Sequence, residues 1–324
     1  SAVPISIGPT SAVPCRRTGG SHRRGVIAAR GRAAGRRERT GAPGHWQGVL
    51  HDRPPDLTRA LAPVAIAASD VTDATGSGGG ATTPDHRGTR YSPLASVAMT
   101  LVVAHRGASA AHPPGNTIEA FAAAVALGAD SVELDVHLTA DGVVVVHHDP
   151  DLADGRCLGE LRRDELPAFV PTLADVLVTC GPLGVNVEIK ADGPEHLRAD
   201  LITAVVEQLT GAEGPERFLV TSFDHDVVAR VRDLAPDLAT GLLTMQPETL
   251  DEVLDRAVSE GHVAVVPWWG LADASYISSA HLRGVRVLVW TVDDPDVMAT
   301  LVRAGVDGII TNLPELGRVV IDVG

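Results

Sequence analysis

Hydrophobic and polar positions change period along the chain in a regular way. From residue 101 onward, short apolar or alternating runs of strand character are each followed by longer stretches with apolar residues three and four apart, the spacing of an amphipathic helix. The strand-like runs are 101–104, 131–136, 143–148, 184–189, 217–222, 238–243, 262–266, 285–291 and 307–311. The helical stretches are 116–128, 172–180, 195–209, 224–234, 247–260, 272–282 and 294–304. Two helix starts are written plainly. Asn116-Thr117-Ile118-Glu119 sets a polar cap before acidic and apolar helix residues, and Asp294-Pro295 gives a cap with Pro at the first helical position.

Repeated strand–helix units predict a parallel α/β fold. Polar residues gathered at strand ends favour a (β/α)₈ TIM barrel, with its chemistry at the C-terminal mouth, over a doubly wound open sheet. Nine strand runs compete for eight places. The excess lies between 131–136 and 143–148, which are separated by a few residues with an Asp141-Gly142 turn signal and no room for a crossover helix. The expectation is a barrel with an irregular, helix-less connection between the second and third strands, formed as a hairpin-like excursion.

Residues 1–98 break the pattern. They show no sustained period, include Gly76-Ser77-Gly78-Gly79-Gly80, and carry 13 Arg against 6 acidic residues, a net +7. Residues 99–324 carry 14 basic against 35 acidic residues, a net −21. The first segment has too little apolar surface to offset its ordering entropy. The division expected is therefore a disordered or non-native extension over 1–98 and a barrel domain over 99–324. Met99, directly before the first strand, suits a reading of the upstream part as translated non-coding sequence or an added extension. The arginines there lack the interleaved aromatics of a nucleic-acid arm, and the acidity of the remainder argues against phosphate-backbone binding. The apolar stretch Ala60 to Ala68, broken by Pro63, is too short to span a membrane. Cys15, Cys157 and Cys180 are odd in number and uninformatively spaced, which argues against a disulfide framework and for a reducing, cytoplasmic setting.

Of 27 basic side chains, 26 are arginine and one is lysine, Lys190. It follows the apolar run Leu183 to Val187, and Glu188 and Lys190, two residues apart, share one strand face. An inward carboxylate and ammonium at a strand end suggest a site for a metal and an anion. Glu133 and Asp135 share a face in the same way and offer the hard oxygens that Ca²⁺ or Mg²⁺ require. Unpaired carboxylates between Val132, Leu134 and Val136 are costly, so the pair is expected to have a partner. His105-Arg106-Gly107 follows the first strand with a titratable imidazole, a forked cation and a residue that lets the backbone turn tightly. His147-His148-Asp149 ends a run of four valines, and only one of the two histidines can look inward. Zinc signatures, a phosphate-binding lysine loop, a dinucleotide fingerprint and a serine nucleophile elbow are all absent from the sequence; Thr221 and Ser222 merely end a strand. Trp290 at a strand end suits a pocket wall or barrel packing, and at most one of Trp268 and Trp269 is expected to line a pocket.

In order along the chain these motifs are His105-Arg106-Gly107, Asn116-Thr117, Glu133-Leu134-Asp135-Val136, Asp141-Gly142, His148-Asp149, Glu188-Ile189-Lys190, Trp290-Thr291-Val292 and Asp307-Gly308-Ile309-Ile310-Thr311. The series resembles the glycerophosphodiester phosphodiesterase family, a phospholipase C-like (β/α)₈ barrel, over essentially all of residues 99–324 and none of 1–98. The resemblance implies metal-dependent hydrolysis of a small glycerophosphodiester to glycerol 3-phosphate and an alcohol. His105 and His148 take the places of the acid–base pair, and Glu133, Asp135 and Glu188 those of the ligands to one divalent ion, Ca²⁺ or Mg²⁺. Arg106 and Lys190 correspond to the phosphate-binding cations, and Asp307 and Asn312 to structural positions near the mouth. Which histidine accepts a proton and which donates one stays open.

Two departures bear on function. The chain has Pro114-Gly115-Asn116-Thr117 where the family writes Pro-Glu-Asn-Thr, so a carboxylate expected near the site is missing. The segment Asp151 to Gly159 is short, which predicts an open mouth able to admit bulkier diesters. The alternatives are accordingly a lysophospholipase D or phospholipase C-like lipid phosphodiesterase, or a catalytically impaired barrel that only binds phosphodiesters.

Overall fold

The computed structural model describes residues 100–323; the expectations for residues 1–98 lie outside them. Among the described residues, each of the nine expected strands is present. They are β1 (Leu101–His105), β2 (Ser131–Leu138), β3 (Val144–Val146), β4 (Gly184–Ile189), β5 (Phe218–Ser222), β6 (Ala239–Thr244), β7 (Ala264–Pro267), β8 (Arg286–Val289) and β9 (Gly308–Thr311). Eight run parallel in the order β1-β2-β4-β5-β6-β7-β8-β9, and β1 pairs with both β2 and β9, which closes the barrel. β3 pairs antiparallel with β2 alone. It is the ninth strand, and the hairpin turns through Asp141 and Gly142, the latter at φ 79°.

The helices are α1 (Ile118–Ala126), α2 (Leu173–Cys180), α3 (Glu195–Gly211), α4 (His225–Leu234), α5 (Leu250–Glu260), α6 (Ala274–Leu282), α7 (Pro295–Ala304) and α8 (Pro314–Val323). Alternation along the strands separates two layers of packing. Val132, Leu134 and Val136 of β2 join Phe121, Leu173 and Val205 in an outer core against the helices. Val103, Leu243, Val266, Leu288 and Ile310 fill the barrel interior. Interior packing is close. A Cβ at Gly241 would stand 3.2 Å from the Cβ of Ala264.

Several boundaries depart from the sequence pattern. The helix expected from residue 116 begins at Ile118, because Asn116 sits at φ 55°, outside helical space, while Thr117 caps the helix by accepting from Ala120 N–H. The strand expected to run to residue 148 ends at Val146. The helix α8 was not foreseen. Gly317 inside it lowers its intrinsic helix preference, and the same residue lets the helix lie on β1, where a Cβ would meet Val102 Cγ1 at 3.2 Å. The excursion after β3 holds its own small apolar cluster of Val145, Leu152, Leu158, Leu166 and Val170. No described helix is long and apolar enough to cross a membrane.

Candidate active site

Strand register assembles the site. Pairing of β1 with β2 puts His105 opposite Glu133, and pairing of β2 with β4 puts Glu133 opposite Asn186 and Asp135 opposite Glu188. Because alternate residues share a face, Glu133, Asp135, Asn186 and Glu188 all point into the barrel at its C-terminal end. His105, Arg106, Glu133, His148, Glu188, Lys190 and Trp290 line one cleft there, together with Asn186, Phe223 and Leu243. Asp135 lies just beneath, 1% exposed. The eight expected site residues are thus brought together.

The turn after β1 shows why its sequence is His-Arg-Gly. Arg106 takes φ 55° and Gly107 φ 78°, reversing the chain so that the Arg106 N–H donates to Glu133 Oε2 at 3.0 Å. A Cβ at Gly107 would stand 2.6 Å from the backbone carbonyl of Ala120, so a side chain has no room there. The same loop accounts for Gly115. Its φ is +81°, and a Cβ would lie 2.8 Å from Arg106 Cβ and 2.9 Å from Ser109 Cβ. A glutamate cannot enter this loop as it stands.

One ligand oxygen from each of Glu133, Asp135 and Glu188 falls within 4.8 Å of the others, and all three residues are buried. Lys190 Nζ lies 2.9 Å from Asp135 Oδ1 and 2.7 Å from Glu188 Oε1. Asp135 Oδ2 accepts from Asn116 Nδ2 at 2.7 Å and stands 3.3 Å from Arg106 Nε. Burial works against ionising Asp135, but the Lys190 ammonium and the Arg106 guanidinium outweigh it and hold the carboxyl below its ordinary value. Lys190 in turn is shifted upward, its own burial more than offset by Asp135 and Glu188.

The glutamates are less well compensated. Burial, with the Asp135 and Glu188 charges, pushes Glu133 well above its ordinary value. Burial likewise raises Glu188 to about 7. Three carboxylates face two cations, leaving an excess of buried negative charge at a set of hard oxygen donors. That donor set fits a hard divalent cation, which would hold both glutamates ionised.

The histidines differ in their settings. Burial and then the Arg106 charge lower His105 to about 4, and its Nδ1 lies 2.7 Å from Asn312 Oδ1. His148 is more open; burial and then Lys190 lower it, and its Nδ1 lies 2.7 Å from Asp149 Oδ1. His147 turns away, with Nδ1 2.8 Å from the Asp149 carbonyl. His137, two residues past Asp135 on the same face, is buried and holds the His148 carbonyl through Nε2 at 3.2 Å.

Trp290 forms the aromatic wall. Its Nε1–H donates to the Val266 carbonyl at 2.9 Å, and Phe223 meets its ring edge-on at a centroid distance of 5.4 Å. Trp268 and Trp269 meet at a tilt, with ring centroids 5.2 Å apart, and neither lines the cleft. Thr221 and Ser222 serve the scaffold, donating to Asn186 Oδ1 and the Ile189 carbonyl. The sequence pattern missed several contributors. Asn116 reads as a helix cap, Asn312 as a structural residue, and Asn186, His137 and Phe223 carry no motif, although His137 shares the parity of Glu133 and Asp135.

Comparison with known proteins places this geometry. A model of the glycerophosphoryl diester phosphodiesterase family matches residues 105–316. A glycerophosphodiester phosphodiesterase of Caldanaerobacter subterraneus subsp. tengcongensis is 34% identical over 239 residues, covering 67% of this chain and 95% of that protein. A probable glycerophosphodiester phosphodiesterase 2 of Mycobacterium tuberculosis is 32% identical over 243 residues, covering 67% and 89%. Among solved structures, a phosphodiesterase of Oleispira antarctica in complex with the product sn-glycerol-3-phosphate is similar at TM-score 0.63 and 25% identity, over 69% of this chain and 97% of that one.

Proposed function

The chain belongs to the glycerophosphoryl diester phosphodiesterase family, and on that footing we propose how its own residues divide the work of hydrolysis. It hydrolyses glycerophosphodiesters to glycerol 3-phosphate and an alcohol. His105 and His148 share the proton transfers. One takes the proton of the attacking hydroxyl, from water or from the substrate's own glycerol, and the other protonates the departing alkoxide. Arg106 and Lys190 supply positive charge to the phosphate oxygens. Glu133, Asp135 and Glu188 hold one divalent ion, Ca²⁺ or Mg²⁺, which when bound supplies charge neutralisation at the phosphorus centre. Trp290 and Phe223 shape the organic side of the pocket.

The observation that carries this reading is the meeting of three buried carboxylates, two cations and two histidines in one cleft at the barrel mouth. The test is a substrate panel of glycerophosphocholine, glycerophosphoethanolamine and glycerophosphoglycerol, assayed for glycerol 3-phosphate with Ca²⁺, Mg²⁺ or chelator. Turnover that needs a divalent ion is expected; chelator-resistant turnover would remove the metal from the proposal. A second reading is favoured by the rim. Phe223, Met245 and Trp268 are 43%, 54% and 40% exposed at the strand ends, a surface suited to an acyl-bearing alcohol. Lysophosphatidylcholine in the same panel separates a lysophospholipase D from an enzyme confined to deacylated diesters. We place the enzyme in the cytoplasm on composition alone, a point that cell fractionation tests.

A further inference from the structure

Asp293 and Asn312 form a hydrogen-bonded pair behind His105, and its polarity is fixed. Asp293 Oδ1 accepts from Thr311 Oγ1 at 2.9 Å and from the Asn312 backbone N–H at 2.8 Å. Asp293 Oδ2 accepts from Asn312 Nδ2 at 2.6 Å. A carboxylate only accepts, so the NH₂ end of the Asn312 amide must face Asp293 and the carbonyl end must face away. The reversed amide would set two acceptor oxygens against each other at that distance. Asn312 Oδ1 is then the atom 2.7 Å from His105 Nδ1, and it also accepts from Ser109 Oγ at 2.7 Å.

An amide oxygen is an acceptor only, so the hydrogen between it and His105 belongs to Nδ1. The neutral imidazole then carries its lone pair on Nε2, which stands 3.9 Å from Glu133 Oε2 at the edge of the cleft. His148 has a different partner. Its Nδ1 faces the carboxylate of Asp149, which can accept from a ring N–H there, whereas the group behind His105 is a neutral amide.

We propose that Asp293 and Asn312, seconded by Ser109, are positioning residues that lock His105 as the Nδ1–H tautomer and so make it the proton acceptor of the reaction. Resting on the diesterase reading above, the reaction uses the two histidines in turn. The attacking O–H gives its proton to His105 Nε2 as the new O–P bond forms. The P–O bond to the departing alcohol breaks, and His148 supplies the proton that the alkoxide takes up. The relay itself moves no proton. It removes the alternative in which Nε2 carries the hydrogen and cannot accept.

Two measurements test this. Nitrogen NMR of the metal-free full chain, with ¹⁵N-labelled histidine and the His105 signals identified by their loss in His105→Gln, reads the tautomer without any turnover. The expected spectrum shows a protonated Nδ1 and an unprotonated Nε2; an Nε2–H ring in the wild-type chain would overturn the proposal whatever the variants do. In kinetics, Asn312→Leu should lower kcat on the order of 10²-fold with KM within about twofold, and its His105 signals should become a mixture of tautomers. The exchange Asp293→Asn with Asn312→Asp restores an acceptor behind Nδ1 and a donor–acceptor pair behind that, and should recover most of kcat. Wild-type kcat in Asn312→Leu, or no recovery in the folded exchange variant, would overturn the relay. Absence of diester turnover in the wild-type chain would instead strike the functional reading and leave the tautomer measurement standing.

Discussion

Lys190 Nζ lies 2.9 Å from Asp135 Oδ1, at the centre of the buried charge cluster of the barrel mouth. The single lysine of the chain is therefore 11% exposed and bound to carboxylates on two neighbouring strands. Its ammonium fits between two oxygens below 3 Å, a compact demand that the broad planar guanidinium meets poorly.

Substitution at Lys190 should separate stability from catalysis. Lys190→Met leaves Glu188 and one oxygen of Asp135 buried without their cation and should cost about 3–5 kcal/mol of unfolding free energy. Lys190→Arg retains the charge and the fold but displaces it, and should lose on the order of 10²-fold in turnover. Urea denaturation and steady-state kinetics check both. Near-normal kinetics in Lys190→Arg would make the lysine incidental.

The three carboxylates should behave alike in catalysis and differently in stability. Glu133→Gln, Asp135→Asn and Glu188→Gln should each weaken divalent-ion binding in calorimetry and lower turnover on the order of 10²-fold. Asp135→Asn should destabilise the metal-free protein most, because Asp135 alone of the three meets Lys190, Arg106 and Asn116 through its carboxylate. Equal stability losses in all three would contradict the uneven compensation described here.

The pH dependence has a definite sign. Burial raises Glu188 from its ordinary 4.5 to about 7 in the folded protein, so between these values the native state holds a proton that the unfolded chain has released. The stability contributed is present below pH 4.5 and is lost as pH rises through about 7. His105, lowered to about 4, contributes in the opposite sense between about 4 and 6.5, so the effect is read as a difference. Without metal, Glu188→Gln should gain stability relative to wild type as pH rises from 4.5 to 7.5. Excess Ca²⁺ or Mg²⁺ should cancel or reverse that gain, since the ion keeps the carboxylate charged. A pH-independent difference in thermal melts would refute it.

Residues 99–324 alone should carry the activity. Every site residue and the family match at 105–316 lie within that span. A chain starting at Met99 should keep the turnover of the full chain and its melting temperature within a few degrees. A large loss of either would show that residues 1–98 contribute to the folded enzyme.

Much of the architecture is legible in the one-dimensional pattern. A strand repeats every two residues, so Glu133 with Asp135 and Glu188 with Lys190 must share a face wherever the strands go. The short Asp141-Gly142 connection excludes a crossover helix, and β3 is indeed the strand left out of the barrel. What fails is local preference overruled by packing. The α8 helix hides behind its glycine, and Gly115 reads as a lost carboxylate until the crowding of Arg106 and Ser109 around it is seen.

By itself the sequence determined the alternation of strands and helices, the parity of each site residue and the chemical kinds that gather at the mouth. Only the tertiary structure decided which atoms meet. Register between β2 and β4 set Asp135 opposite Glu188 and drew Lys190 between them. Closure of β1 on β9 brought Asn312 to His105 across 207 residues of chain. The reason is range. Backbone stereochemistry couples neighbours two residues apart, but register and closure follow from burial summed over whole strands, and no local pattern encodes that sum.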